Sequence, residues 1–171
     1  YGIHPVKSSV LIKQPSERCK LPELDAFHLG GDDIPITDSF VHLGIVRSGT
    51  KSANTLIQDH INLARRTSYS LVSAGLHGIN GLDARTSIKI YQTYVMPRLL
   101  YGLEVMMLNK GELDMISKYH LAMLKKIQSL PVRTATPAVY ILSGVLPAEA
   151  ILHIRTLCLI GAISRSQNKT M

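Results

Sequence analysis

The chain has 171 residues, 46% of them hydrophobic, enough to bury a real core in one or two domains and too apolar for a disordered tail. Its net charge of +7 is one-sided: residues 1–40 hold four basic and six acidic side chains, a net of −2, and residues 41–171 hold fifteen and six, a net of +9. A polyanion partner or simply a well-solvated surface would explain that excess, while 5% aromatic residues and no Trp argue against a stacking platform for single-stranded bases.

Tyr1-Gly2-Ile3-His4-Pro5 has neither the charged start nor the apolar run of a signal peptide, and the chain reads as a fragment beginning mid-protein. Val6–Lys13 is expected to be a strand entered from Pro5 and closed before Pro15. Residues 14–25, with two prolines and five charged side chains, predict a surface loop; Cys19 within it is far from Cys158. No Cys-x-x-Cys or Cys/His spacing occurs, so neither a disulfide framework nor a zinc site is expected, and a reducing intracellular home is. Ala26–Leu29, Gly30–Asp33 and Ile34–Thr37 have the form of strand, turn and strand, and Phe40–Val46 predicts a further strand. These would make one small antiparallel sheet, too slight to stand alone.

At Phe40-Val41-His42-Leu43-Gly44 a strand period gives way to a helical one. A first helix is predicted from about Ser52 to Leu76, with Ile57, Ile61, Ala64, Ser68 and Leu71 on one face. Asp83 should cap a second, with Ile88, Tyr91, Val95 and Leu99 inward and a kink at Pro97. A third spans Glu112–Leu130 on the stripe Leu113, Ile116, His120, Met123 and Ile127, stopping at Pro131. Thr134–Leu142 is a short fourth, and a fifth begins near Pro147 with Ile151, Ile154, Leu157 and Gly161 as its apolar side. Each buries one face, which implies a bundle. Residues 88–108 and 150–164 are apolar enough to suggest membrane spans, but Lys89, Arg98, Glu104, His153 and Arg155 interrupt them. A central charge costs about 2.5–3.5 kcal/mol on insertion scales, so both are read as amphipathic or buried helices.

Lys7-Ser8 at the head of a strand, some thirty residues of hairpin, and then Phe-Val-His-Leu-Gly-Ile at 40–45 form an ordered pattern. It continues with Ala64-Arg65-Arg66, with Ile90 to Glu104 ending in Leu-Leu-Tyr-Gly-Leu-Glu, and with Leu124-Lys125-Lys126-Ile127-Gln128-Ser129-Leu130-Pro131. This order resembles the last part of the palm and the thumb in reverse transcriptases of non-LTR, LINE-type retrotransposons, and the likeness covers nearly the whole chain. In that family a Lys-Ser or Lys-Thr opens the strand after the catalytic box, and an aromatic-x-x-Leu-Gly primer-grip turn closes the palm. His42 stands where Tyr is common.

The resemblance implies an α+β, mostly α fold: a small antiparallel sheet or hairpin ending a polymerase palm (1–47), a thumb-like helical bundle (48–132) and further helices on it (133–171). It implies an RNA-directed DNA polymerase as parent, a nucleotidyltransferase using Mg2+ and working in nucleus and cytoplasm. Its partners would be the RNA template, the RNA/DNA duplex, and the fingers and catalytic palm of the same polymerase; no membrane is involved. The family's catalytic aspartates are not in this sequence, so the chain alone should bind template–primer and polymerise nothing, with no catalytic or metal-binding residue and no cofactor of its own. The residues expected to grip nucleic acid are Lys7, His42, Leu43, Gly44, Arg65, Arg66, Lys125 and Lys126.

Those residue types suit the task, since Gly lets backbone approach a strand closely and Lys and Arg neutralise phosphates. Without the surrounding pattern Gly44 would be only a strand-end turn, and Arg65 and Arg66 only a solvated face; being about 100° apart on a helix, they cannot both face a duplex squarely. Tyr101-Gly102-Leu103-Glu104 reads as structural, with Glu104 hydrogen-bonded near the core, and His120 as a packed core histidine. Gly31-Asp32-Asp33 resembles the metal-binding hairpin of viral RNA polymerases but lacks a partner carboxylate from a distant strand and falls after the Lys-Ser strand, so a tight hairpin turn is expected. A different class of function is a stand-alone helical module binding RNA or a protein partner.

Overall fold

The computed structural model describes residues 8–12, 27–29, 31–42, 44–48, 53–106 and 108–167. They fall into two units, Tyr1–Ser52 and Ala53–Met171. The chain is mostly helical with small antiparallel strand pairs.

In the first unit, β1 (Phe27–Leu29) pairs antiparallel with β2 (Asp32–Ile34), Leu29 opposite Asp32. The expected four-residue turn Gly30–Asp33 is therefore too long: both aspartates are already in β2. Asp33 lies directly across from His28, whose ring nitrogen pairs with the Asp33 carboxylate.

A second correction concerns Phe40–Val46, which is not one strand. The strand β3 (Ser39–His42) pairs antiparallel with β4 (Ile45–Ser48), His42 opposite Ile45. Gly44 has φ +76°, a left-handed conformation that glycine adopts without strain and that a two-residue hairpin turn requires. The two hairpins are separate rather than one sheet. Of the strand expected over Val6–Lys13, the described part 8–12 makes one parallel bridge, Val10 with Ile36: Val10 N–H donates to Pro35 O at 3.0 Å and Thr37 N–H to Val10 O at 2.9 Å.

The second unit contains α1 (Ala53–Ser70), α2 (Ala84–Ile90), α3 (Met96–Leu100), α4 (Lys110–Ile127), α5 (Thr136–Ser143) and α6 (Ala148–Gln167). The sequence period gives the correct phase for α1, where Ile57, Ile61, Ala64 and Ser68 are buried. It also does so for Ile88, Tyr91, Val95 and Leu99. Asp83 caps α2 by accepting from Thr86 N–H at 3.0 Å, and the Thr86 side chain first, with that N–H second, holds its carboxyl below the usual range. The break expected at Pro97 takes the form of one π-helical turn, Tyr91–Val95, immediately before α3. Proline has no N–H for the carbonyl four residues back, and the wider turn absorbs the mismatch.

α4 starts earlier than predicted, at a capping box in which Asn109 Oδ1 accepts from Glu112 N–H (3.0 Å) and Glu112 Oε2 from Asn109 N–H (2.7 Å). It also ends before Pro131. Ser129 turns left-handed at φ +52°, and Leu130 N–H and Ser129 N–H close back on Lys125 O and Lys126 O, a Schellman closure. Gly78 lies against this end; a Cβ there would collide with Ser129 Oγ and Lys126 O.

One core runs through the unit, from Ile57 and Tyr91 through Ile116 and Leu124 to Val139 and Leu152. At its centre His120, fully buried, stacks between the rings of Tyr91 (5.7 Å) and Tyr140 (5.9 Å). Its Nε2 faces the carbonyl of Leu146 at 3.1 Å, which can only accept, so that nitrogen carries the proton and Nδ1 accepts from the Tyr91 hydroxyl at 2.8 Å. Burial lowers its pKa to about 4. The Glu104 carboxylate behaves otherwise than expected: its Oε2 is buried with no hydrogen-bond partner among the described residues, and it is the backbone carbonyl that accepts, from Thr156 at 3.3 Å.

The predicted face of α6 holds at Ile151, which packs partly buried against the core, and fails at Ile154 and Leu157. Ala148 and Leu152 are buried, whereas Ile154 and Leu157 point outward, Leu157 at 68% exposure, and Ile160 (54%) and Ile163 (51%) extend the exposed apolar surface. Apolar and polar residues are mixed around this helix, with Glu149, His153 and Arg155 among the aliphatic ones, so its pattern marks no single face. Among the described residues no single helix is long and apolar enough to cross a membrane; α5 and α6 together, bent by 59°, pass that test by length and composition.

Candidate nucleic-acid interface

The two long amphipathic helices α1 and α4 pack side by side. Ser68 and Tyr119 join them by a 3.1 Å hydrogen bond between hydroxyls. Ser68 already donates to Ala64 O at 2.9 Å, so the Tyr119 phenol donates to Ser68 Oγ and its oxygen keeps its lone pairs. α3 is held to α1 beside them, Arg98 Nη1 donating to Thr67 Oγ1 at 2.7 Å and the His60 ring to Arg98 O at 3.1 Å. Arg98 is therefore occupied within the fold.

Between α1 and α4 lies an open cleft of about 220 Å³. Arg65, Ser68 and Tyr69 line it from α1, and Tyr119, Met123 and Lys126 from α4. Val72 and Leu76, beyond the end of α1, supply an apolar wall. Lys126 Nζ sits 5.5 Å from the centre of the Tyr69 ring, a cation–π contact across the mouth. Burial raises the pKa of the Tyr119 phenol, partly offset by its bond to Ser68 and by the Arg65 charge, so it stays protonated at neutral pH. Among the described residues no carboxylate pairs with Arg65 or Lys126.

A second depression, of about 310 Å³, adjoins the first along α4. Lys118, Lys125 and Lys126 border it, with Leu121, Leu130 and Val132 between them. Lys125 Nζ donates to Val132 O at 2.6 Å, which fixes it over the turn that follows α4.

Of the predicted residues, Arg65 and Lys126 thus come together across one cleft, and Lys125 lies next to Lys126. Arg66 does not line it, as its 100° offset from Arg65 requires. Gly44 is at a hairpin tip in the other unit, with His42 on the strand before it. Lys7 and Leu43 lie outside the described residues. Sequence reasoning missed Tyr69, Tyr119 and Lys118. Their signals were present: Tyr119, Met123 and Lys126 recur every three or four residues, and Lys118 and Lys125 are two helical turns apart. What the sequence did not state was that this face of α4 meets Tyr69 of α1. Despite a low aromatic content, two tyrosines converge where the cations do.

Mg2+, which the resemblance implies for the parent polymerase, has no donor set here: no three His, Cys, Asp or Glu side chains converge among the described residues. Asp33 faces a histidine across a hairpin rather than a second carboxylate. Comparison with protein-family models, curated proteins and solved structures finds no match for this chain.

Proposed function

We propose that this chain is the end of the palm and the thumb of a LINE-type reverse transcriptase, gripping the template–primer duplex while the catalytic aspartates and their Mg2+ belong to the preceding part of the polymerase. The observation that carries this reading is the cationic face of α1 and α4, where Arg65, Lys118, Lys125 and Lys126 border two adjoining depressions. Cations spaced along two packed helices match a phosphate backbone. The ordered motifs of the sequence supply the polymerase assignment, and the hairpin tip at Gly44 suits close approach of backbone to a primer strand.

The test is the native transcript upstream of Tyr1. The proposal expects an open frame encoding Phe/Tyr-x-Asp-Asp shortly before it; a frame starting near Tyr1 with no aspartate pair would refute the polymerase assignment. A second reading, a non-catalytic helical module with a protein partner, is favoured by one observation, the exposed apolar side of α6.

A further inference from the structure

Neutralising phosphates along a duplex needs only cations spaced along its backbone. It does not need a concave, partly apolar cleft. The α1–α4 cleft has Val72, Leu76 and Met123 as apolar walls, the cations Arg65 and Lys126 from opposite helices, and the hydroxyl-bearing Ser68, Tyr69 and Tyr119 in its lining. We propose that this cleft is a binding site for a single nucleotide, its phosphate between Arg65 and Lys126, its base or sugar against the apolar wall, and a ligand N–H or O–H donating to the Tyr119 oxygen. The proposal rests on the nucleic-acid reading above and sharpens it.

Three features select this chemistry. The cations stand on opposite helices, so a single anion can be held from both sides. Tyr69, 62% exposed, offers a ring on which a flat base can stack. The Tyr119 oxygen is committed as a donor to Ser68 and can only accept from a ligand, so the ligand must bring a donor. A base amino group or a sugar hydroxyl supplies one; a fatty acid does not. At about 220 Å³ the open cleft can take in part of one nucleotide, the rest standing in solvent, and has no room for a run of them. The nucleotide can be free or an unpaired unit of a bound strand, since both present the same phosphate, sugar and base.

The experiment titrates the 171-residue chain, labelled at its methionine methyls, with AMP, with inorganic phosphate, and with a short duplex made blunt or with one unpaired 3′ nucleotide. AMP is expected to shift the Met123 methyl at concentrations where phosphate does not. Ala122→Phe, at an exposed position on the cleft wall, should abolish that shift, and Tyr119→Phe should weaken AMP about threefold to tenfold. A preference for the overhang duplex over the blunt one assigns the site to a strand's own nucleotide, and AMP binding without that preference assigns it to a free one; either fulfils the proposal. Equal shifts with phosphate alone, or an AMP shift that survives Ala122→Phe, would overturn it. If AMP leaves Met123 unmoved while the blunt duplex binds in a salt-dependent way, the cleft assignment falls and the duplex reading stands; if neither binds, both fall.

Discussion

α4 and α6 are the two helices that most clearly part company. They are 18 and 20 residues long. α4 divides its surface: Ile116, His120, Leu124 and Ile127 are buried on one side, and Lys118 and Lys126 stand out on the other. α6 buries Ala148 and Leu152 near its start and carries Leu157, Ile160 and Ile163 into the open. The difference teaches where each helix gets its position. α4 is oriented by its own amphipathic pattern, while α6 is oriented by packing over its first turns and by the Thr156 hydroxyl on Glu104 O. A helix of the first kind can present a defined functional face, and one of the second kind presents a surface that fits a partner.

The sharpest way to break this contrast is by truncation in the two helices. Leu124→Ala, at a site with no exposure, should cost about 2–5 kcal/mol in denaturant unfolding, whereas Leu157→Ala should stay within about 0.5 kcal/mol. Equal costs would mean that α6 is covered in solution and that the contrast is false.

Next in size is the pH response of α4. His120 titrates at about 4 in the fold against 6.5 in the unfolded chain, so below pH 6.5 the unfolded state takes up the proton first. The stability tied to neutral His120 is complete above pH 6.5 and declines as pH falls toward 4, by on the order of 3 kcal/mol in all. Comparing unfolding free energy at pH 7 and pH 4.5 checks this: His120→Phe should flatten the decline, and an unchanged decline would assign it to carboxylates elsewhere.

Smaller still is the start of α4. Asn109→Ala removes one half of the capping box and should cost about 0.5–2 kcal/mol in the same unfolding measurement, with Glu112 left near an unsatisfied end.

The same contrast explains what could be read from sequence. α1, α4 and the segment from Ile88 to Leu99 each alternate apolar and polar residues at helical spacing, so their buried faces and the packed His120 were legible. α6 lacks that alternation, and its period points Ile154 and Leu157 inward when they face outward. Phe40–Val46 gave a continuous strand signal because Gly44 interrupts the apolar pattern by only one residue, and it alone hinted at the reversal between β3 and β4. In the candidate site the cations were visible as residue types. Their convergence on Tyr69 and Tyr119 depends on which helix packs against which, and that information lies in tertiary packing rather than in any local period.

Salt titration decides whether the α1–α4 face grips a nucleic-acid duplex as proposed. Binding of an RNA/DNA duplex should weaken linearly in log[salt]. Replacing Arg65, Arg66, Lys125 and Lys126 together by Ala should reduce the slope, by about 0.9 for each phosphate that is no longer neutralised, with Arg65 and Lys126 contributing more than Arg66. A slope and affinity unchanged by that replacement would contradict the account and leave the exposed side of α6 as the surface on which function must be sought.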